Sequence, residues 1–330
     1  MIDNNRKSRF SIVITHILLL ILGFIILIKG ADWLIDGGSA LARRYKISEL
    51  AIGLTIVAFG TSMPEFVVNI FASYNSHSDI VLGNIIGSNI FNLFAIMGIA
   101  GLISPLIVQS GTVWKEIPFS FFATSILFFL GNNFFCRIGI VSRIDGIILL
   151  IFFFLFLYYV FWQLKVENIE VKIKRKELSN MKIWIFIILG LVFLTSGGKL
   201  AVVNSVRIAE ELGISKTLIG LIIVAAGTSL PELSTSVVAA IKKNNDIAVG
   251  NIIGSNIFNI FCILGVSALI RPINYNIKFN YDLYLLGTGT LLLFLAMFSG
   301  HKKKLDRWEA GLLLLIYMVY VVYLIDKAVQ

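Results

Sequence analysis

The chain has 330 residues, 58% hydrophobic and 14% charged, with a net charge of +9 and a mean hydropathy of +0.90. Soluble domains hold about 45–50% apolar residues, so this composition excludes an ordinary soluble domain and predicts an integral membrane protein. The basic residues are spread over short loops and build no folded basic face for nucleic acid.

A bilayer span takes about 20 mainly apolar residues. Ten such windows follow one another: 11–42, 48–73, 80–103, 116–132, 143–163, 182–210, 216–241, 247–270, 280–299 and 307–325. Met1–Arg9 is short and polar and leads into the first window without a small-residue cleavage site, so the first helix is expected to stay. Within that helix Lys29 and Asp32 stand three apart and are expected to pair, and Lys199 takes the place matching Asp32 later in the chain.

The second window carries Gly60-Thr61-Ser62-Met63-Pro64-Glu65. Pro64 has no N–H and its ring crowds the carbonyl four residues back, which predicts a broken helix with freed carbonyls near Ala58 and Gly60. Thr61 and Ser62 add hydroxyl oxygens. Glu65 adds a carboxylate, which is expensive at this depth unless it faces a partner, water or an ion.

The third window holds Gly83-Asn84-Ile85-Ile86-Gly87-Ser88-Asn89-Ile90-Phe91-Asn92. Asn84, Ser88 and Asn92 are four apart and share a helix face, and the Gly83/Gly87 pair predicts close backbone approach. Asp79 and Asp246, at the starts of the third and eighth spans, read as helix N-caps and stay outside the site. The phenylalanines of Phe152–Phe156 read as lipid-facing or packing residues. A charged linker follows at 165–181.

The seventh window then repeats the second. Ala225, Thr228, Ser229 and Glu232 fall within Gly227-Thr228-Ser229-Leu230-Pro231-Glu232, and the eighth window repeats Gly83 to Asn92 as Gly250 to Asn259, with Ser255 matching Ser88. One offset of 167 residues relates all of these without a gap, and about half the residues between 50 and 105 equal their counterparts, which identifies an internal duplication. Five spans per half force the second copy to enter the membrane upside down, as in many secondary transporters. The expected units are 1–164, the linker 165–181, and 182–330. With both termini outside, the inner loops hold Arg43, Arg44, Lys46, Lys115, the Lys165–Lys182 cluster, Lys242, Lys243, Lys302, Lys303, Lys304 and Arg307, as the positive-inside rule prefers; Arg6, Lys7 and Arg9 pull the other way.

The donor set is all oxygen. Hard cations such as Na⁺ and Ca²⁺ take such ligands, whereas zinc or copper would want His or Cys. His16 and His301 lie near span ends and His77 in a loop, and the two cysteines, Cys136 and Cys262, read as packing residues.

In these motifs the chain resembles the calcium/cation antiporter superfamily, specifically its bacterial calcium/sodium antiporters, whose paired repeats carry G-T-S-x-P-E and G-N-x-x-G-S-N-x-x-N. The resemblance covers both motifs in full. It implies an all-α integral membrane protein of ten transmembrane helices in two inverted five-helix repeats. Its central Ca²⁺ site would use the Glu65 and Glu232 carboxylates with the Thr61 and Thr228 carbonyls. Flanking Na⁺ sites would draw on Ala58, Ser62 and Ser88 and on Ala225, Ser229 and Ser255, with Asn92 and Asn259 completing the set. Some family members carry aspartate where this chain has Asn259. Two ionised glutamates balance one Ca²⁺, while three Na⁺ would leave excess positive charge at membrane depth, so stoichiometry and counter-ion stay open.

The expectation is a secondary antiporter exchanging Ca²⁺ for Na⁺ by alternating access in the plasma (inner) membrane. No cofactor, enzyme activity or protein partner is expected. Coupling to H⁺ or K⁺ is the alternative, and a passive cation channel is further off. A G-x-x-x-x-G-K-[ST] phosphate loop and a soluble domain large enough for an ATPase are both absent from the sequence, which argues against a pump. The serines share their motifs with no histidine or lysine base, which argues against a hydrolase.

Overall fold

The computed structural model describes residues 2–132, 139–163, 178–212, 225–299 and 303–329. Among them the helices are α1 (Ile2–Tyr45), α2 (Glu49–Thr61), α3 (Met63–Tyr74), α4 (Ser78–Ile103), α5 (Thr112–Asn132), α6 (Arg143–Gln163), α7 (Asn180–Glu211), α8 (Ala225–Thr228), α9 (Leu230–Ile241), α10 (Asn245–Ile270), α11 (Phe279–Ala296) and α12 (Arg307–Val329). Eight of them are long and apolar enough to cross a membrane, and α2 with α3, bent by 49°, makes a ninth span. The protein is an all-α, multi-pass integral membrane protein. The window 216–241 falls partly on residues 213–224, and Cys136, His301 and most of the linker also lie outside the described residues.

Ser48 starts α2 by accepting from the Ala51 N–H at 3.1 Å, and Asn244 starts α10 by accepting from the Ile247 N–H at 3.2 Å. The N-cap expectation for Asp79 and Asp246 is therefore corrected. His77 and Asn244 occupy the cap positions, and the two acids sit in the first turn, where the helix dipole favours a negative charge. Asp246 also accepts from Gln109 Nε2 at 2.6 Å.

The longest helix contact joins α1 to α7. A Cβ at Gly23 would fall 2.8 Å from the Ala201 nitrogen, at Gly30 2.7 Å from that of Leu194, and at Gly37 2.9 Å from Ile187 Cγ1. The partner positions descend as the glycines ascend, so the helices are antiparallel. The fit is reciprocal, with Gly190 against Leu34 and Gly197 against Leu27. Where lipid removes the hydrophobic drive for association, such backbone-to-backbone fit supplies it.

Two short antiparallel clasps tie the chain at opposite ends. β1 (Leu106–Ile107) pairs with β4 (Lys304–Leu305), and β2 (Ile140–Val141) with β3 (Ile273–Asn274). At the β1/β4 end lie Gln109 with Asp246, Asn244 with Ser39 at 2.7 Å, and Lys242, whose ammonium meets Asp32 Oδ1 at 2.7 Å and Asp36 Oδ1 at 2.8 Å. The predicted Lys29–Asp32 pair forms at 3.0 Å, but Asp32 is shared with Lys242. At the other end Ser78 Oγ accepts from the Asn274 N–H, and Asn132 and Asn280 exchange amide hydrogen bonds. α4 thus begins at the β2/β3 end and α10, its counterpart in sequence, at the β1/β4 end.

The phenylalanine run serves both predicted roles: Phe154 is exposed on the outer surface, while Phe156 is buried and stacks on Phe119 at 5.3 Å.

Candidate ion-binding site

The backbone breaks at the serine of each G-T-S-x-P-E copy. Ser62 has φ −84° and ψ 9° and Ser229 φ −91° and ψ 12°, and the next helix starts one residue later with the proline in its first turn, where the missing N–H is one no helix would use. Glu65 and Glu232 then fall in the first turns of α3 and α9, facing the partial positive charge of a helix start.

The two carboxylates are 1% exposed each and are held in a crossed arrangement. Ser229 Oγ donates to Glu65 Oε1 at 2.8 Å, and Ser62 Oγ donates to Glu232 Oε1 at 2.7 Å. Each acid is therefore steadied by the serine of the other copy. Ser255 Oγ lies 3.0 Å from Ser62 Oγ. Among the described residues the second oxygens, Glu65 Oε2 and Glu232 Oε2, are buried with no hydrogen-bond partner, as are Ser88 Oγ, Asn92 Oδ1 and Asn259 Oδ1.

A second layer orients the broken segments. Thr61 Oγ1 donates to Asn251 Oδ1 at 3.0 Å, and Asn251 Nδ2 donates to the Glu232 carbonyl at 3.3 Å and to Ser236 Oγ at 2.9 Å. On the other side Asn84 Nδ2 reaches Thr228 Oγ1 at 3.4 Å, and Asn69 Nδ2 donates to Asn84 Oδ1 at 2.6 Å and to the Glu65 carbonyl at 2.7 Å. Asn69, Asn251 and Ser236 were not picked out in the sequence. Asn251 had a signal, being the repeat of Asn84, but Asn69 and Ser236 differ between the copies and so carry no repeat signature.

One expectation changes. Pro64 leaves the Gly60 carbonyl without its helical donor, but the Ala58 carbonyl is not free: it accepts from the Ser62 N–H at 3.0 Å and lies 3.3 Å from Thr61 Oγ1. The helix hydrogen bonds continue one residue further than the proline argument assumed. Ala225 opens the described part of α8. Close backbone approach occurs at the second glycine pair, where a Cβ at Gly250 would fall 2.9 Å from the Leu50 carbonyl and one at Gly254 2.8 Å from Leu54 Cα. Among the described residues Gly83 meets only the Phe279 ring and Gly87 nothing within 4 Å; residues 217–221, which match Leu50 to Leu54 in the repeat, lie outside them.

Asn92 and Asn259 each sit in a π-helical turn, Phe91–Ile96 and Asn259–Ile263. Such turns insert one extra residue per turn and recur at functional sites. They bring the asparagine segments against the acid-bearing helices of the opposite copy, 91–96 on α9 and 259–263 on α3.

Taking an isolated carboxylate out of water costs several kcal/mol even after relaxation, on the order of 20 in the limiting case. Among the described residues no Lys, Arg or His makes an ion pair with either glutamate, and no group of three His, Cys, Asp or Glu is present. What surrounds the acids is hydroxyl and amide oxygen. Such a set fits a hard cation and no soft metal.

Comparison with known proteins agrees. The family described as sodium/calcium exchanger protein matches residues 15–162 and 182–325. The sodium/calcium exchanger MaX1 of Methanosarcina acetivorans is 31% identical, with 94% of this chain and 99% of that one covered. The inner membrane protein YrbG of Escherichia coli is 36% identical over 77% of this chain and 79% of its own length. A solved structure of the sodium-calcium exchanger NCX_Mj, soaked with Na⁺ and Sr²⁺, superposes with a TM-score of 0.80 at 34% identity, covering 94% of this chain and 99% of that one. With two matching halves, a shared fold and paired buried acids at the breaks, the chain belongs to the sodium/calcium exchanger family, a family of cation antiporters.

Proposed function

We propose that the protein is a secondary antiporter exchanging Ca²⁺ for Na⁺ by alternating access at one all-oxygen site near the bilayer midplane. The carrying observation is the crossed pair of buried acids, each held by the opposite copy's serine and each with one oxygen unpartnered among the described residues. Ca²⁺ is held by Glu65 and Glu232 with the carbonyls of Thr61 and Thr228. Na⁺ engages Ser62, Ser88, Ser229 and Ser255 with Asn92 and Asn259. The carbonyls of Ala58 and Ala225 belong to the same set, Ala58 on exchanging a protein hydrogen bond for the ion.

Ten spans in two inverted halves, 1–164 and 182–330 about the linker 165–181, carry this site. Antiparallel α1 and α7 support the inversion, as do the opposed directions of α4 and α10. Lys242 and Lys304 share the β1/β4 end, which supports that end as cytoplasmic and both termini as outside; the likeness to an Escherichia coli inner membrane protein supports residence in the inner membrane.

Purified protein in Na⁺-loaded liposomes tests the proposal. It should take up ⁴⁵Ca²⁺ only while the outward Na⁺ gradient lasts, and Glu65→Gln or Glu232→Gln should abolish uptake. Uptake driven by a pH step without Na⁺ gives H⁺ coupling instead, a K⁺ requirement gives a K⁺-dependent exchanger, and Ca²⁺ current without any counter-ion gradient gives a channel. Full exchange in either glutamine variant removes the site.

A further inference from the structure

Four buried asparagines form a hydrogen-bond relay where α4 and α10 meet. Asn89 Nδ2 donates to the Asn256 backbone carbonyl at 3.1 Å, and Asn256 Nδ2 donates to the Asn89 backbone carbonyl at 3.3 Å. Asn259 Nδ2 donates to Asn89 Oδ1 at 2.9 Å, and Asn92 Nδ2 to Asn256 Oδ1 at 3.0 Å. All four are at most 3% exposed.

The relay has only one consistent polarity. A backbone carbonyl can only accept, so the amide end of Asn89 facing the Asn256 carbonyl must be its NH₂. Its Oδ1 is then on the other side and can only accept, so Asn259 must turn its own NH₂ toward it. That leaves Asn259 Oδ1 as the free end, and it is buried with no partner among the described residues; the same reasoning run from Asn256 leaves Asn92 Oδ1 free. An asparagine amide has ends of similar shape and opposite polarity. Turned the other way, Asn92 and Asn259 would present N–H donors to a cation.

We propose that Asn89 and Asn256 are positioning residues that lock the amides of Asn92 and Asn259 with oxygen, not nitrogen, toward the transported cation. The inference rests on the proposed site, in which Asn92 and Asn259 are ion ligands. It also explains how two amides serve as cation ligands: a carboxylate presents oxygen whichever way it turns, whereas an amide needs an external reference for its orientation. The backbone carbonyls of Asn89 and Asn256 supply it. Neither Asn89 nor Asn256 lies on the Asn84/Ser88/Asn92 face, and neither touches the ion in this role.

The test is an epistasis experiment on full-length purified protein, reading Ca²⁺ affinity by titration calorimetry. Asn89→Leu removes the acceptor that holds Asn259, and Ca²⁺ binding should weaken by about tenfold, the equivalent of one net hydrogen bond of about 1.4 kcal/mol. In the Asn259→Asp background the carboxylate needs no orienting and would face Asn89 Oδ1 unfavourably, so Asn89→Leu should leave affinity unchanged or raise it. The mirror pair, Asn256→Leu with and without Asn92→Asp, should behave likewise and supplies the answer if the first arm does not fold. Equal weakening in both backgrounds marks a purely structural role and overturns the proposal, and so does no weakening in the wild-type background. Asn259→Asp and Asn92→Asp taken alone test the underlying reading, since Ca²⁺ affinity unmoved by either added charge would remove these residues from the site.

Discussion

Gly30→Ala adds one methyl group to the α1/α7 seam. Its Cβ would lie 2.7 Å from the Leu194 nitrogen and 2.8 Å from the Gly190 carbonyl, where ordinary contact begins at 3.4 Å. The colliding atoms are these two backbone atoms and Phe193 Cβ at 2.8 Å, none of which can rotate away, so the helices must part locally by about 0.7 Å, the shortfall of 2.7 from 3.4 Å. A gap of that size forfeits about a quarter to a half of the dispersion energy of the lining contacts, and overpacking of this kind costs about 1–3 kcal/mol. Alanine returns up to about 1 kcal/mol of helix propensity, which leaves a net loss of up to about 2 kcal/mol. Gly287→Ala is the matched control: its Cβ would meet Phe121 at an ordinary 3.7 Å, so only the propensity gain remains. Thermal unfolding of both variants in detergent should show a lower midpoint for Gly30→Ala and an equal or higher one for Gly287→Ala. Adding Gly190→Ala to Gly30→Ala should cost less than the sum of the two, because one opening relieves both clashes. A Gly30→Ala protein as stable as wild type refutes the reasoning.

Ser62→Ala removes both a ligand of the proposed Na⁺ set and the donor to Glu232 Oε1. Hydrogen bonds to charged groups contribute about 1.5–3 kcal/mol, so liposome flux should show the half-maximal concentrations of Na⁺ and of Ca²⁺ both rising, that of Na⁺ at least about tenfold. Lys242→Met strips Asp32 and Asp36 of a shared partner; these groups are partly solvated, so a thermal-unfolding double-mutant cycle of Lys242→Met with Asp36→Asn should give a coupling of only about 0.5–1 kcal/mol. Tyr159→Phe deletes the hydroxyl that donates to the buried Glu116 at 2.5 Å, whose other oxygen has no partner among the described residues, and should lower stability by about 1–3 kcal/mol in the same unfolding assay.

Much of the site was legible in the chain because a duplication marks it twice. Glu65 and Glu232, with the serines and threonines before them, announced themselves as charges at membrane depth beside helix-breaking prolines. What was not legible depends on which helix meets which. The crossing of Ser62 to Glu232 and Ser229 to Glu65 needs the two copies placed face to face. The π-helical turns at Asn92 and Asn259 leave no mark in residue type, since a hydrophobic run reads the same with 3.6 or more residues per turn. Asn89 and Asn256 lay off the stripe of four-residue spacing, and their value comes from each other's backbone. The Ala58 carbonyl shows the reverse error, in which a local rule about proline predicted a free group that the next N–H had already taken.

The pairing of α1 with α7 also bears on how the chain is made. The partner of the first helix is not translated until most of the first half has already left the ribosome, so the glycine face of α1 must wait in lipid until Asn180–Glu211 has been inserted beside it. Separately expressed fragments, each lacking the other's helix, would carry an open groove in place of the seam and should be recovered together or degraded.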